Sequence, residues 1–185
     1  ETFTESGIRL RSGRELGADL VVSATGLELR FLGGVQLEVD GKVVEPSECM
    51  VYKGLMLSDV PNLAFSIGYT NASWTLKCDL TSQYVCRLLR HMDEHGIDIA
   101  APRRNDPSLR EEPIIDFSSG YVRRALAKIP KQGSRAPWKL HQNYALDLAL
   151  LRRGRLADGV LELTTRRARR TTQAATTLDR TPADA

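Results

Sequence analysis

The chain has 185 residues, 42% of them hydrophobic and 26% charged, enough for one domain with a sizeable core. No apolar run approaches the roughly 18 residues of a membrane-spanning helix, so no transmembrane segment is expected. The net charge of +3 sits wholly in the tail, where Arg166, Arg167, Arg169, Arg170 and Arg180 face only Asp179 and Asp184. The balanced remainder offers no basic surface for nucleic acid.

The first expected element is a β-hairpin over residues 8–16, "IRLRSGREL", turning at Ser12-Gly13. Residues 20–24, "LVVSA", form a small continuous apolar run, the pattern of a strand buried on both faces. It stops at Thr25-Gly26, a corner where backbone can approach a ligand closely. A second hairpin follows, with Val35, Leu37 and Val39 alternating with polar residues before the Asp40-Gly41 turn. Residues 50–57, "MVYKGLML", are apolar with Gly54 inside. A turn at 58–62 precedes an expected strand, "LAFSI", over 63–67.

"GYTNASW" then leads into a helix expected from about Ala72 to His95. Leu80, Tyr84, Val85, Leu88, Leu89 and Met92 give its apolar stripe, and Gly96 its natural stop. Residues 102–113 read as a charged, proline-flanked loop. Residues 120–129 and 138–153 read as short helices, joined by a linker at 130–134. An extended piece is expected at 159–163 and a disordered Arg-rich tail at 164–185. The expected division is 1–96, 97–163 as a helical C-terminal extension, and the tail.

No complete active site is legible. The chain holds no GxSxG, P-loop or GxGxxG. Cys49, Cys78 and Cys86 form no CxxC, and their sparse use fits a reducing cytoplasm. His91 and His95 share a helix face without a further ligand pattern, so no metal site is expected. What remains is a helix N-terminus preceded by Gly68, Thr70, Asn71 and Ser73. Such a terminus suits an anion or a ring edge that becomes anionic, such as that of a reduced flavin. Thr70, Asn71 or Ser73 as plain caps is the alternative.

The blocks "DLVVSATGLEL", "YKGLMLSDVPNLAFSIGYTNASWTLKCDL" and "YVCRLLRHMDEHG" resemble the C-terminal third of class B flavin-containing monooxygenases. The similarity is greatest to the Baeyer–Villiger-like, ethionamide-activating subgroup. "SSGYVRRALAKIPKQGSRAPWKLHQNY" and "DGVLEL" extend it, so that it covers roughly residues 5–163. The resemblance implies an α/β fold: an incomplete part of an FAD/NAD(P)-binding Rossmann-like flavoprotein, with antiparallel hairpins, one long helix and a helical C-terminal region. It implies FAD and NADPH as cofactors. It also implies O2 as co-substrate, oxygenating a ketone, thioether or amine through a C4a-peroxyflavin.

By the same resemblance Ala24, Thr25 and Gly26 lie at the junction of the cofactor domains. Gly68, Asn71, Ala72 and Ser73 run beside the flavin ring. Leu55, Met56, Leu57 and Trp74 shape a substrate pocket, although Trp74 as a core aromatic is an equal alternative. No residue of this chain is expected to be catalytic. The family's two GxGxxG motifs are absent, and the chain starts at Glu1 without a signal-peptide pattern. A fragment, inactive in isolation and cytoplasmic, is therefore expected, with peripheral membrane association left open. The rival reading is a non-catalytic remnant or interaction module.

Overall fold

The computed structural model describes residues 2–115 and 119–165. The chain opens with a three-stranded antiparallel meander of β1 (Thr2–Thr4), β2 (Gly7–Arg9) and β3 (Glu15–Gly17). Ile8 pairs with Leu16 across the expected hairpin. The second hairpin joins β4 (Leu37–Val39) to β5 (Lys42–Val44). Asp40 and Gly41 both take positive φ, 52° and 77°, the conformation a two-residue turn needs to match strand twist.

The core begins at β6 (Val51–Tyr52) and β7 (Met56–Leu57), a fully buried antiparallel hairpin. The dominant element is α1 (Trp74–His95). It buries Leu80, Tyr84, Leu88 and Met92, spaced four apart, against the hairpin and the C-terminal region. Val85 is half-buried and Leu89 exposed, so the buried stripe is narrower than the sequence suggests. Gly96 closes the helix in the left-handed region, φ 61°. Its N–H reaches the Asp93 carbonyl, and the Ile97 N–H reaches that of Met92, a Schellman end.

After Gly96 the structure is mixed, not helical. β8 (Ile99–Pro102) pairs antiparallel with β11 (Leu161–Thr164), and β9 (Glu111–Pro113) with β10 (Lys131–Gly133). The expected linker at 130–134 is therefore largely strand. A Cβ on Gly133 would lie 2.6 Å from that of Trp138, so only glycine lets the buried indole close over the strand. Helix α2 (Gly120–Ala125) starts where expected but ends four residues before 129. The helix expected from 138 starts only at α3 (Tyr144–Asp147), where Asn143 Oδ1 accepts from the Leu146 N–H, and continues as a π-helical stretch, Leu148–Arg153. Ala100, Leu109, Trp138, Leu151 and Leu161 share one core with Met50, Tyr52 and Tyr84, which ties the C-terminal region firmly to the rest.

Two expected strands are corrected. Residues 20–24 form no strand, and Leu20 and Val22 are each 81% exposed. A strand needs a ladder partner, and none of the described segments supplies one. Residues 63–67 are likewise unpaired, held by one bond from the Phe65 N–H to the Leu55 carbonyl, 2.8 Å. Their alternation survives in burial: Phe65 is buried while Ala64 and Ser66 are exposed. Every ladder among the described residues is antiparallel. The content is thus mixed α/β, with a lone parallel bridge between Met50 and Lys131. No described helix is long and apolar enough to cross a membrane. The Arg-rich stretch from 166 onward lies outside the described residues.

Candidate cofactor site at the start of α1

The turn before α1 is held from three sides. Gly68 is buried under the Trp74 side chain, and a Cβ there would lie 2.2 Å from the indole Cγ. Gln142, some seventy residues further along the chain, grips the turn from the other side. Its Oε1 accepts from the Thr70 N–H at 3.0 Å and from the Thr70 hydroxyl at 3.2 Å, while Asn71 Nδ2 donates to its carbonyl at 3.0 Å. Beneath, the Tyr69 hydroxyl donates to Asp147 at 2.7 Å, and the Lys77 ammonium pairs with the same carboxylate at 2.8 Å. Burial, and then this bond to Asp147, push the Tyr69 hydroxyl well above the usual phenol range, so it stays a donor.

Ser73 occupies the N-cap position, but its hydroxyl pairs with that of Thr75 at 2.8 Å and makes no cap bond. The first-turn N–H groups of a 22-residue helix are thus left without a side-chain cap. The first residue of the helix, Trp74, lines an apolar cavity of about 350 Å³. Phe65, Ile67, Trp74, Ile114 and Leu140 line it, with Gln142 among the few polar lining groups. A second cavity, about 420 Å³, lies along residues 25–29 and is lined by Tyr121, Arg124 and Lys128. Leu29 lines both.

The residues singled out in the sequence distribute unevenly. Gly68 and Trp74 line the apolar cavity, and the exposed Asn71, Ala72 and Ser73 belong to the turn beside it. Thr25 and Gly26 line the second cavity, whereas Ala24 is exposed and lines neither. Leu55, Met56 and Leu57 are fully buried core residues on neither cavity. Trp74 is 60% exposed and lines the apolar cavity.

Sequence reasoning missed Gln142, Asp147 and Lys77. Lys77 carried a legible signal: it precedes Leu80 by three and Tyr84 by seven, on the buried face. Gln142 carried none, since its positive φ, 50°, is a property of the folded loop. A second missed network pins the C-terminal region. Asp158 accepts from the Tyr52 hydroxyl at 2.6 Å and pairs with Lys53 at 2.9 Å. The Lys53 ammonium sits 4.8 and 5.1 Å from the Tyr52 and Tyr84 ring centres. Arg87 donates to the carbonyls of Leu151, Arg152 and Gly154. No group of three or more potential metal ligands occurs among the described residues.

Gly68→Ala tests the turn directly. The new methyl collides with Trp74 backbone as well as side chain, so the turn must shift. A loss of about 1–3 kcal/mol in urea unfolding is expected, with a changed Trp74 emission spectrum.

The pieces fit a flat, largely apolar ring with one polar edge: an apolar chamber, a tightly packed glycine, and uncapped N–H donors at its mouth. Comparison with known proteins gives the relatives of the whole chain. The chain is 52% identical over 158 residues to FAD-containing monooxygenase EthA of Mycobacterium tuberculosis, covering 85% of this chain and 32% of that protein. It is 52% identical over 164 residues to the probable FAD-binding monooxygenase AlmA of an Acinetobacter species, covering 88% of this chain and 33% of the relative. It is 48% identical over 162 residues to the putative FAD-containing monooxygenase MymA of M. tuberculosis, covering 87% and 33%. No family model and no solved structure matches. The chain spans about a third of the length of these relatives, and over that span it is similar to FAD-containing monooxygenases.

Proposed function

We propose that this chain forms one wall of the flavin site of an FAD- and NADPH-dependent monooxygenase of the Baeyer–Villiger type. The observation that carries the reading is the uncapped N-terminus of α1 opening beside the apolar cavity at Trp74. When bound, the flavin would supply the redox and oxygen-transfer chemistry, with O2 as oxidant and a ketone, thioether or amine as acceptor. The chain's own part is to place and shield the ring. First-turn N–H groups of α1 would hold the edge where negative charge collects on reduction, and so would favour that form. Phe65, Ile67 and Trp74, which line the cavity, would keep water from the ring face and so strengthen such N–H contacts. Gln142 and Asp147 hold the turn so that Asn71, Ala72 and Ser73 keep their position. The Rossmann-like cradle and the nicotinamide site would come from sequence outside this chain, so these residues alone are expected to lack turnover. The site of action proposed is the cytoplasm.

The test is fluorescence titration of the chain with lumiflavin, a bare flavin ring. Trp74 is exposed at the cavity and Trp138 buried, so saturable quenching absent from Trp74→Phe is the expected result. No quenching up to the solubility of the ring would overturn the reading.

A further inference from the structure

The apolar cavity beside Trp74 carries one polar side chain whose direction is fixed. Gln142 lines it, half-buried. Its Oε1 accepts from the Thr70 N–H at 3.0 Å and from the Thr70 hydroxyl at 3.2 Å, and its backbone carbonyl accepts from Asn71 Nδ2 at 3.0 Å. An amide whose oxygen is identified by two donors has its nitrogen identified as well. That nitrogen, Nε2, carries two N–H donors and has no partner among the described residues. The other hydrogen-bonding side chains on the cavity are engaged or stand in solvent. Thr70 gives both its donors to Gln142, Arg30 is exposed and bonds Glu28 at 3.3 Å, and Ser66 and Trp74 are exposed. The rest of the wall, with Phe65, Ile67, Ile114, Ile129 and Leu140, has no side-chain acceptor to offer the amide. The Leu140 N–H donates to Gln132 Oε1 at 2.9 Å, so the loop that carries Gln142 is anchored on both sides.

We propose that Gln142 is a specificity-determining residue of this cavity, its Nε2 donating to the carbonyl oxygen of a bound substrate and so favouring a ketone over a thioether or an amine of the same shape. A carbonyl oxygen is a good acceptor near the plane of its two substituents. A thioether sulfur is a weak one, and a protonated amine turns donors toward donors. The amide is held in place before a ligand arrives, so little side-chain freedom is lost on binding. The inference rests on the reading that this cavity belongs to an oxygenating site, and it narrows the three substrate classes of that reading to one. It uses a different atom of Gln142 from the one that holds the turn.

The test uses the whole chain, isotopically labelled, and two matched probes, cyclohexyl methyl ketone and cyclohexyl methyl sulfide. The ketone is expected to shift the Gln142 side-chain amide resonance and to bind about three- to tenfold tighter than the sulfide. Gln142→Glu keeps an oxygen for Thr70 but puts a second oxygen where Nε2 stood. The preference is then expected to vanish or reverse, while Trp74 emission, which reports the turn, stays unchanged. Leu140→Ala, on the apolar wall, is expected to weaken both probes alike. The resonance shift needs no variant: a ketone that binds without moving it overturns the proposal. So do equal affinities in the unaltered chain, no ketone binding up to its solubility, or a preference that survives Gln142→Glu. A flavin ring also carries carbonyl oxygens. Lumiflavin losing affinity in Gln142→Glu while the ketone preference persists gives the donor to the ring and overturns its assignment to the substrate. Lumiflavin quenching with no ketone preference leaves the ring site standing and sinks this role of Gln142. A ketone preference lost in Gln142→Glu, without lumiflavin quenching, does the reverse.

Discussion

Asp147→Ala is expected to lower the unfolding free energy by about 3–5 kcal/mol, read by urea denaturation near neutral pH. The side chains of Lys77 and Asp147 are 6% and 4% exposed, so removing the carboxylate leaves an ammonium in the interior with no counter-charge. The Tyr69 hydroxyl loses its acceptor in the same step. Most of the expected loss is that of stranding buried polar groups, not the net value of the pair. A double variant shows the difference: Lys77→Met with Asp147→Leu removes both charges and should recover much of the stability. A single-variant loss below about 1 kcal/mol would contradict the buried-pair account. The consequence reaches the candidate site, because Tyr69 and Lys77 flank the turn that faces the apolar cavity.

Asp158→Ala should be nearly as costly, about 3 kcal/mol, and should also change the response to acid. Lys53 is 2% exposed at its side chain, and Asp158, at 21%, is its carboxylate partner. Burial works against ionisation of Asp158, but hydrogen bonds from Tyr52 and Lys53 outweigh it and hold the carboxyl below its ordinary value. Between the folded and unfolded values the unfolded chain binds more protons, so stability rises with pH there. The contribution is fully present above the ordinary carboxylate value near pH 4 and is lost as pH falls through the folded one. Burial also lowers the Lys53 ammonium, against the pull of Asp158. Folding therefore gains further as pH rises through that lowered value toward the ordinary lysine one. Stability measured in urea between pH 2 and pH 7 is the check, about the range where carboxylates titrate. Loss of Asp158 should flatten part of the acid limb, and an unchanged limb would exclude a role for this carboxylate.

The exposed apolar residues near the N-terminus bear on the rival reading. Leu20, Val22 and Leu27 stand in solvent on an unpaired segment. An interaction module would expose such residues. A flavoprotein whose central sheet pairs them with further sequence would do so as well. The similarity to FAD-containing monooxygenases over 85% or more of the chain favours the second account.

Local chemistry was enough for the elements whose hydrogen bonds close within a short stretch. The Asp40-Gly41 and Ser12-Gly13 hairpins, the long helix with its Gly96 stop, and the final strand at Leu161–Thr164 all follow from turn residues and periodicity. That residues 68–73 form a turn leading into the long helix was also readable, since it rests on residue types that precede a helix. What tertiary structure decided were the features that depend on a distant partner. An apolar run at residues 20–24 is a strand only where another strand lies beside it, and among the described residues none does. Residues 131–133 read as a linker, yet pair with β9 because Trp138 closes over Gly133. Leu55, Met56 and Leu57 were expected to line a pocket, but Leu55 and Met56 are covered by α1 and the C-terminal region, and Leu57 packs with Val51, Phe65 and Ile114. The clamp on the candidate site joins Thr70 to Gln142 and Lys77 to Asp147, residues some seventy positions apart. Sequence pattern reports which groups must be satisfied; only the folded chain, by bringing distant segments together, decides which group satisfies which.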